Sequence, residues 1–256
     1  MKKSYTILIV ILIGCYFTQI QAAKRDEKVR FSFGLAAFSM EQVNKLLADL
    51  DWATTENGFS LSPSRFKYHF LLQLDYEHDL GRRYSYLFTL QYSRAVVHRV
   101  NEDLNNGIYQ GLDYFLKMLQ GSLSLVRRFP VYKLNQGSLD IVTGAGLELV
   151  YTHADFLYVY SQLPLTYQKI DFLRTGYVGG AKIFIGLEVP LIPSIFLELQ
   201  TGYSYLPEQR LTGKINSANL EVAEDALEPI NPDVLIRNNK YNLSRFWLLF
   251  GGAYYF

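Results

Sequence analysis

A period of two runs along most of this chain, and it constrains the fold more than any other feature. Between Phe66 and Tyr76, the residues Phe66, Tyr68, Phe70, Leu72, Leu74 and Tyr76 share one parity, while Lys67, His69, Gln73 and Asp75 share the other. Strand side chains point alternately to opposite faces, so this segment reads as a strand with one apolar and one polar face. The alternation returns over Val29–Leu35, Tyr84–Tyr92, Leu119–Leu125, Leu139–Tyr151, Tyr177–Val189, Ile195–Tyr205 and Phe246–Phe256. The reading is therefore about eight strands, of the order of the ~9–11 residues that a tilted strand needs to cross a bilayer.

A two-layer β-sandwich also alternates, so period two leaves a soluble all-β alternative open. Three features favour a membrane barrel. The connections His78–Arg83, Arg128–Gly137 and Pro190–Ser194 are short, whereas Ser39–Ser64, Ala95–Asp113, Thr152–Gly176 and Leu206–Tyr241 read as long loops. Short turns at one end and long loops at the other are the pattern of outer-membrane barrels. Tyrosines gather near strand ends, at Tyr76, Tyr84, Tyr151, Tyr177, Tyr205 and Tyr254, where a ring can sit in lipid and its hydroxyl among headgroups. The polar faces carry Asp75, Asp140, Glu148, Lys182, Glu188 and Glu198, too many ionisable groups for a sandwich core.

Composition narrows the class further. The 256 residues include 20 Tyr and 17 Phe, and no apolar run approaches the ~18 residues of a spanning helix. Lys and Arg number 25 against 24 Asp and Glu, so the electrostatic footprint of a general nucleic-acid binder is missing. At the amino terminus, Lys2 and Lys3 precede the apolar run Ile7–Phe17, and Ile20 and Ala22 supply the −3/−1 cleavage pair. This describes a secretory signal peptide over 1–22, with the mature barrel domain over 23–256. Cleavage there removes Cys15, the only cysteine, and with it any disulfide or thiolate metal site. The run Leu12-Ile13-Gly14-Cys15 also resembles a lipobox, which would make Cys15 a lipidated terminus.

The end of the chain carries a family resemblance. Gly251, Tyr254 and the terminal Phe256 resemble the carboxy-terminal signature by which outer-membrane barrels are recognised for assembly, although Leu249 stands where that pattern expects a polar residue. The mature chain as a whole resembles the small eight-stranded outer-membrane barrels that include OmpA-, OmpX- and OmpW-like proteins. The resemblance implies an antiparallel barrel in a bacterial outer membrane, with lipid and lipopolysaccharide around it and the barrel-assembly machinery as a partner. It brings no catalytic or ligand motif.

One segment breaks the β rhythm. Ser39–Leu50 reads as a helix, with Ser39 as N-cap, Gln42 at the capping-box spacing, and Val43, Leu46, Leu47 and Leu50 on one face. It reads as a helix on the barrel rim, with a lid or interfacial anchor as the other uses.

An eight-stranded barrel is about filled by its own side chains, so the expectation is an occluded lumen. Glu148 and Lys182 fall at similar heights on adjacent strands and are expected to pair, with Glu198, Arg245 and His69 as further candidate lumen or gate residues. Leu71, Leu87, Phe184, Phe196, Trp247 and Leu249 fall on the polar parity. They either pack a dry core or line a slot for an apolar molecule, with Phe184 and Trp247 the leading candidates. His98 and His153 lie near expected outer loops, but no nucleophile, metal-ligand or phosphate-loop spacing accompanies them. The expected protein is a monomeric barrel without enzymatic activity or cofactor, serving a structural or surface-interaction role. The alternative is a narrow channel or carrier for small molecules, apolar ones included. The acidic residues Glu221, Glu224, Asp225 and Glu228 of the last loop are expected to be a solvated face.

Overall fold

A computed structural model describes residues 27–38, 68–81, 83–103, 108–135, 137–162, 166–221 and 240–256. The signal peptide, Cys15, the Ser39–Leu50 helix and most of the acidic last loop lie outside the described residues.

Alternation of apolar and polar side chains builds the strands. In order these are β1 (Glu27–Phe38), β2 (Tyr68–Gly81), β3 (Tyr84–Asp103), β4 (Ile108–Leu134), β5 (Gly137–Gln162) and β6 (Thr166–Ile192). They are followed by β7 (Ile195–Tyr205), β8 (Gln209–Arg210), β9 (Thr212–Glu221), β10 (Lys240–Tyr241) and β11 (Arg245–Tyr255). Every pairing is antiparallel, and β1 pairs with both β2 and β11, which closes the ring β1-β2-β3-β4-β5-β6-β7-β11. A sandwich leaves sheet edges, whereas among the described residues each strand of this ring is paired on both sides within the belt, so the soluble two-layer alternative falls. Closure also pairs each strand's backbone groups with a neighbour, as lipid requires.

The short ends are tight. Gly81 takes φ of 77° beside Asp79, whose Oδ1 accepts from the Gly81 amide at 2.7 Å. That positive φ is the reason for a glycine there. At the seam, the Phe256 amide donates to the Glu27 carbonyl at 3.1 Å, so the last residue is tied to the start of β1.

Outward-facing residues form an apolar belt. Phe31, Leu72, Phe88, Leu123, Leu147, Ile183, Leu199 and Phe250 are exposed, one from each strand of the ring, and Leu147 reaches 73%. Tyr76, Tyr84 and Tyr254 lie toward the short-turn margin, and Tyr92, Tyr177 and Tyr205 toward the other. An aqueous surface does not carry such a belt, whereas a barrel in lipid must.

Two expected loops are strand instead. Ala95–Asp113 and Thr152–Gly176 are for the most part the outer halves of β3, β4, β5 and β6, which run 20, 27, 26 and 27 residues. About ten residues of each pass the belt margin, some 30 Å of strand at ~3.3 Å per residue. Beyond the margin the parity inverts. On β4 the outward face goes from Leu119 and Leu123 to Lys117 and Asp113, while the buried face goes from Gln120 and Ser122 to Leu116 and Tyr114. On β5 the outward series Leu149 and Tyr151 gives way to His153 and Asp155, opposite buried Ala154 and Phe156. Water now lies outside, so the apolar side chains turn inward. The wall between β6 and β11 is interrupted at 206–208, 211 and 242–244, where Leu206, Leu211 and Leu243 are buried in the outer core.

Candidate functional site

The lumen is the site at which the strands bring chemistry together. Toward the short-turn end, β1 contributes Lys28 and Arg30, β2 Glu77, β4 Arg128, β6 Glu188 and β7 Glu198, all on the inward parity. Lys28 Nζ donates to Glu188, and Arg30 donates to Glu77 while its Nη1 lies 3.2 Å from Glu198 Oε1. Arg128 donates to Glu77, and its Nε stands 3.8 Å from Glu188 Oε2. The Ser85 hydroxyl of β3 donates to Glu77 and accepts from Arg128 at 3.1 Å. Three cations thus meet three carboxylates across the bore. Glu188 and Glu198 are directly opposed on β6 and β7, a like-charge pair that is unfavourable alone. Lys28 and Arg30 compensate it.

A second polar group lies further along the bore and holds four of the expected residues. Glu148 accepts from Gln120 and from the Ser204 hydroxyl at 3.1 Å. Lys182 Nζ donates to Thr89 Oγ1 at 3.2 Å, and Arg245 donates to Gln91 Oε1 at 3.1 Å and to Gln120. Glu198 belongs to the ionic group, and Gln200 donates to it at 2.6 Å. His69 is buried in the bore beside Ala36. The expected cross-ladder pair between Glu148 and Lys182 differs in detail. Glu148 faces Gly180 and Lys182 faces Gly146, so the two are diagonal on the ladder, and each bonds to its own neighbours, Glu148 to Gln120 and Ser204 and Lys182 to Thr89. Asp75, Glu148, Lys182 and Arg245 again balance in sign.

The inward apolar residues pack together. Ala36, Leu71, Leu87, Val126, Val142, Phe184, Trp247 and Leu249 form one buried cluster, with the Phe184 and Trp247 rings 6.2 Å apart. A Cβ at Gly144 would come within 2.3 Å of the Phe184 ring, so that glycine makes the space the ring needs. Phe196 instead meets Tyr255 edge-on at 5.0 Å, under Lys28. A second buried cluster fills the outer extension, with Phe156 stacked on Phe172 at 4.7 Å and Tyr114 edge-on to both.

Parity puts Arg30 on the polar face of the first strand without singling it out, and sequence reading leaves out Lys28, Glu77 and Arg128. Parity would have found them: Glu77 is two residues beyond Asp75, and Arg128 two beyond Val126, each past the point where the strand was ended. Of the carboxy-terminal signature, Gly251 faces the bore against Ser32, and Tyr254 faces outward with its ring 6.2 Å from that of Phe256. His98 pairs with Asp113 on the outer face of the extension, and His153 stands opposite Lys117 and Thr175. Among the described residues, no three His, Cys, Asp or Glu side chains cluster as metal ligands do.

Ring closure, an outward apolar belt and a buried polar interior define a closed, eight-stranded, antiparallel transmembrane β-barrel. No family model matches the sequence, and no curated relative matches it. Among solved structures, the fold is similar to that of Neisserial surface protein A, at 13% identity and a TM-score of 0.47, over 92% of this chain and 100% of that one. It is also similar to Ail, the attachment invasion locus protein of Yersinia pestis solved with the heparin analogue sucrose octasulfate, at 12% identity and a TM-score of 0.44, covering 90% and 99%. A major outer membrane protein of Thermus thermophilus matches at 13% identity and a TM-score of 0.41, over the same shares.

Proposed function

We propose that this chain is a non-catalytic protein of a bacterial outer membrane, exported by a cleaved signal peptide, whose bore is sealed and whose working surface is the strand extension outside the belt. The observation that carries the reading is the ionic layer. Three cations and three carboxylates from five strands, joined by Ser85 of a sixth, meet across a bore that an eight-stranded barrel nearly fills anyway. A narrow channel would need this layer to part. Parting it strands buried charges at a cost of about 3–5 kcal/mol per broken pair. A structural or surface-interaction role asks nothing of the bore and uses the ~30 Å of strand that β3–β6 hold beyond the margin. Lipopolysaccharide surrounds that extension in this reading, and the carboxy-terminal Gly251, Tyr254 and Phe256 meet the assembly machinery.

Orientation is tested by labelling with a membrane-impermeant amine reagent. Lys214 of β9 is exposed on the extension, and Lys133 is exposed at a short turn. Intact cells are expected to label Lys214 and to spare Lys133 until the envelope is permeabilised. Labelling of Lys133 on intact cells overturns the placement.

A further inference from the structure

At the belt margin, three basic side chains line up on neighbouring strands. Arg94 of β3 is directly opposite Lys117 of β4, and Lys117 is directly opposite His153 of β5. All three are on the outward parity, one step beyond the lipid-facing row Tyr92, Leu119 and Tyr151. Directly opposed side chains on antiparallel strands have Cβ atoms about 5 Å apart, and like charges at that distance destabilise the pair. The adjacent ladder shows the usual remedy, because His98, opposed further out, faces the carboxylate of Asp113 and is in contact with it. The Arg94–Lys117–His153 row has no such remedy. Asp155 shares their face, yet among the described residues no carboxylate comes within 4 Å of any of the three. Arg94 lies over the Phe115 ring at 5.3 Å.

The lipid face just below the row has an opening. Gly121 points outward between Leu90 and Leu149, its cross-strand partners, and a Cβ placed there would meet nothing within 4 Å. Packing does not demand a glycine at that point, and glycine weakens a strand interior. The result is a notch in the apolar belt, one outward position beneath Leu119 and below the centre of the basic row.

We propose that Arg94, Lys117 and His153 form a headgroup site for a phosphorylated lipid of the outer leaflet, one acyl chain of which lies in the notch at Gly121. Arg94 supplies a planar fork suited to two phosphate oxygens, and Lys117 a mobile point charge beside it. The row spans about 10 Å across three strands, given ~4.8 Å between neighbours. A bound phosphate supplies the negative charge that the row itself lacks, and the site occurs where headgroups begin. The inference rests on the outward placement of the extension proposed above.

The test uses the full mature protein purified from outer membranes, held in maltoside micelles with bisphosphorylated lipid A as probe, and reads retained lipid by native mass spectrometry. Wild type is expected to retain one lipid A, and Arg94→Gln/Lys117→Gln to need about ten-fold more or beyond for the same occupancy, as loss of two charge-assisted contacts implies. Fully dephosphorylated lipid A should bind wild type as weakly as lipid A binds the double variant. Inorganic phosphate at millimolar concentration should not displace the lipid. Equal retention by the double variant overturns the site, and displacement by inorganic phosphate reassigns it to a free anion. Heat-shifted gel mobility verifies that the variant is a closed barrel. If Lys133 labels on intact cells while retention still depends on Arg94 and Lys117, the surface reading fails and the phosphate site stands. Correct labelling with unchanged retention is the reverse.

Discussion

Replacing Arg30 by Met tests the ionic layer most sharply. Arg30 is 0% exposed, donates to Glu77 and lies 3.2 Å from Glu198. At that separation, with an effective dielectric of about 20, each such attraction amounts to about 5 kcal/mol before desolvation is counted. Met keeps much of the volume and removes the charge, so three carboxylates then face only Lys28 and Arg128. Breaking a buried pair on one side typically costs about 3–5 kcal/mol, and the partly compensated cluster places Arg30→Met within that range. Adding Glu198→Gln restores two charges of each sign and should recover about half of the loss or more. The assay is equilibrium urea unfolding in phospholipid vesicles, followed by the gel shift of the closed barrel and by the fluorescence of Trp247 in a Trp52→Phe background. If Arg30→Met falls within about 1 kcal/mol of wild type, or if Glu198→Gln adds to the loss, the layer is not the coupled unit described here.

Two glycines should respond in opposite ways. Gly144→Val places methyl groups where the Phe184 ring lies and should lower stability by about 1–3 kcal/mol, whereas Gly121→Ala meets open space and should be neutral or gain a few tenths. Unfolding midpoints of the two variants decide this, and equal losses would contradict the packing. Amide hydrogen exchange should show protection at Leu116, Tyr114, Phe156 and Phe172, which are paired and buried beyond the belt margin. Exchange there at the rate of an open loop would remove the strand extension.

The ring and its belt were legible because lipid outside and polar groups inside give the strongest contrast that period two can carry. Phe31, Phe33 and Leu35 against Arg30 and Ser32 leave one strand face for lipid. The extension was not legible for the same reason. At Met118–Leu119 on β4 and at Tyr151–Ala154 on β5 the apolar parity changes sides, and a reading held to one parity ends the strand there. What lies beyond, such as Lys117, Asp113, His153 and Asp155 outward, has the composition of a loop and the pairing of a sheet. The bore was half legible. Glu148, Lys182, Glu198, Arg245 and His69 were placed by parity, and all five face inward, but the partner of each depends on the stagger between strands. A single sequence does not carry that stagger: it puts Glu148 and Lys182 at similar heights, where pairing across the ladder is open to them, and the register makes them diagonal. Arg128 was hidden in an expected turn, although β4 runs on to Leu134.

The sealed bore is the central claim, and single-channel conductance of the folded chain from Ala23 to Phe256 in planar bilayers tests it most directly. The account predicts no resolvable openings from protein whose heat-shifted mobility shows a closed barrel, and no openings in Lys182→Ala. Reproducible openings in wild type that change with Glu148→Ala or Lys182→Ala would contradict it and make the bore, rather than the outer strands, the working part.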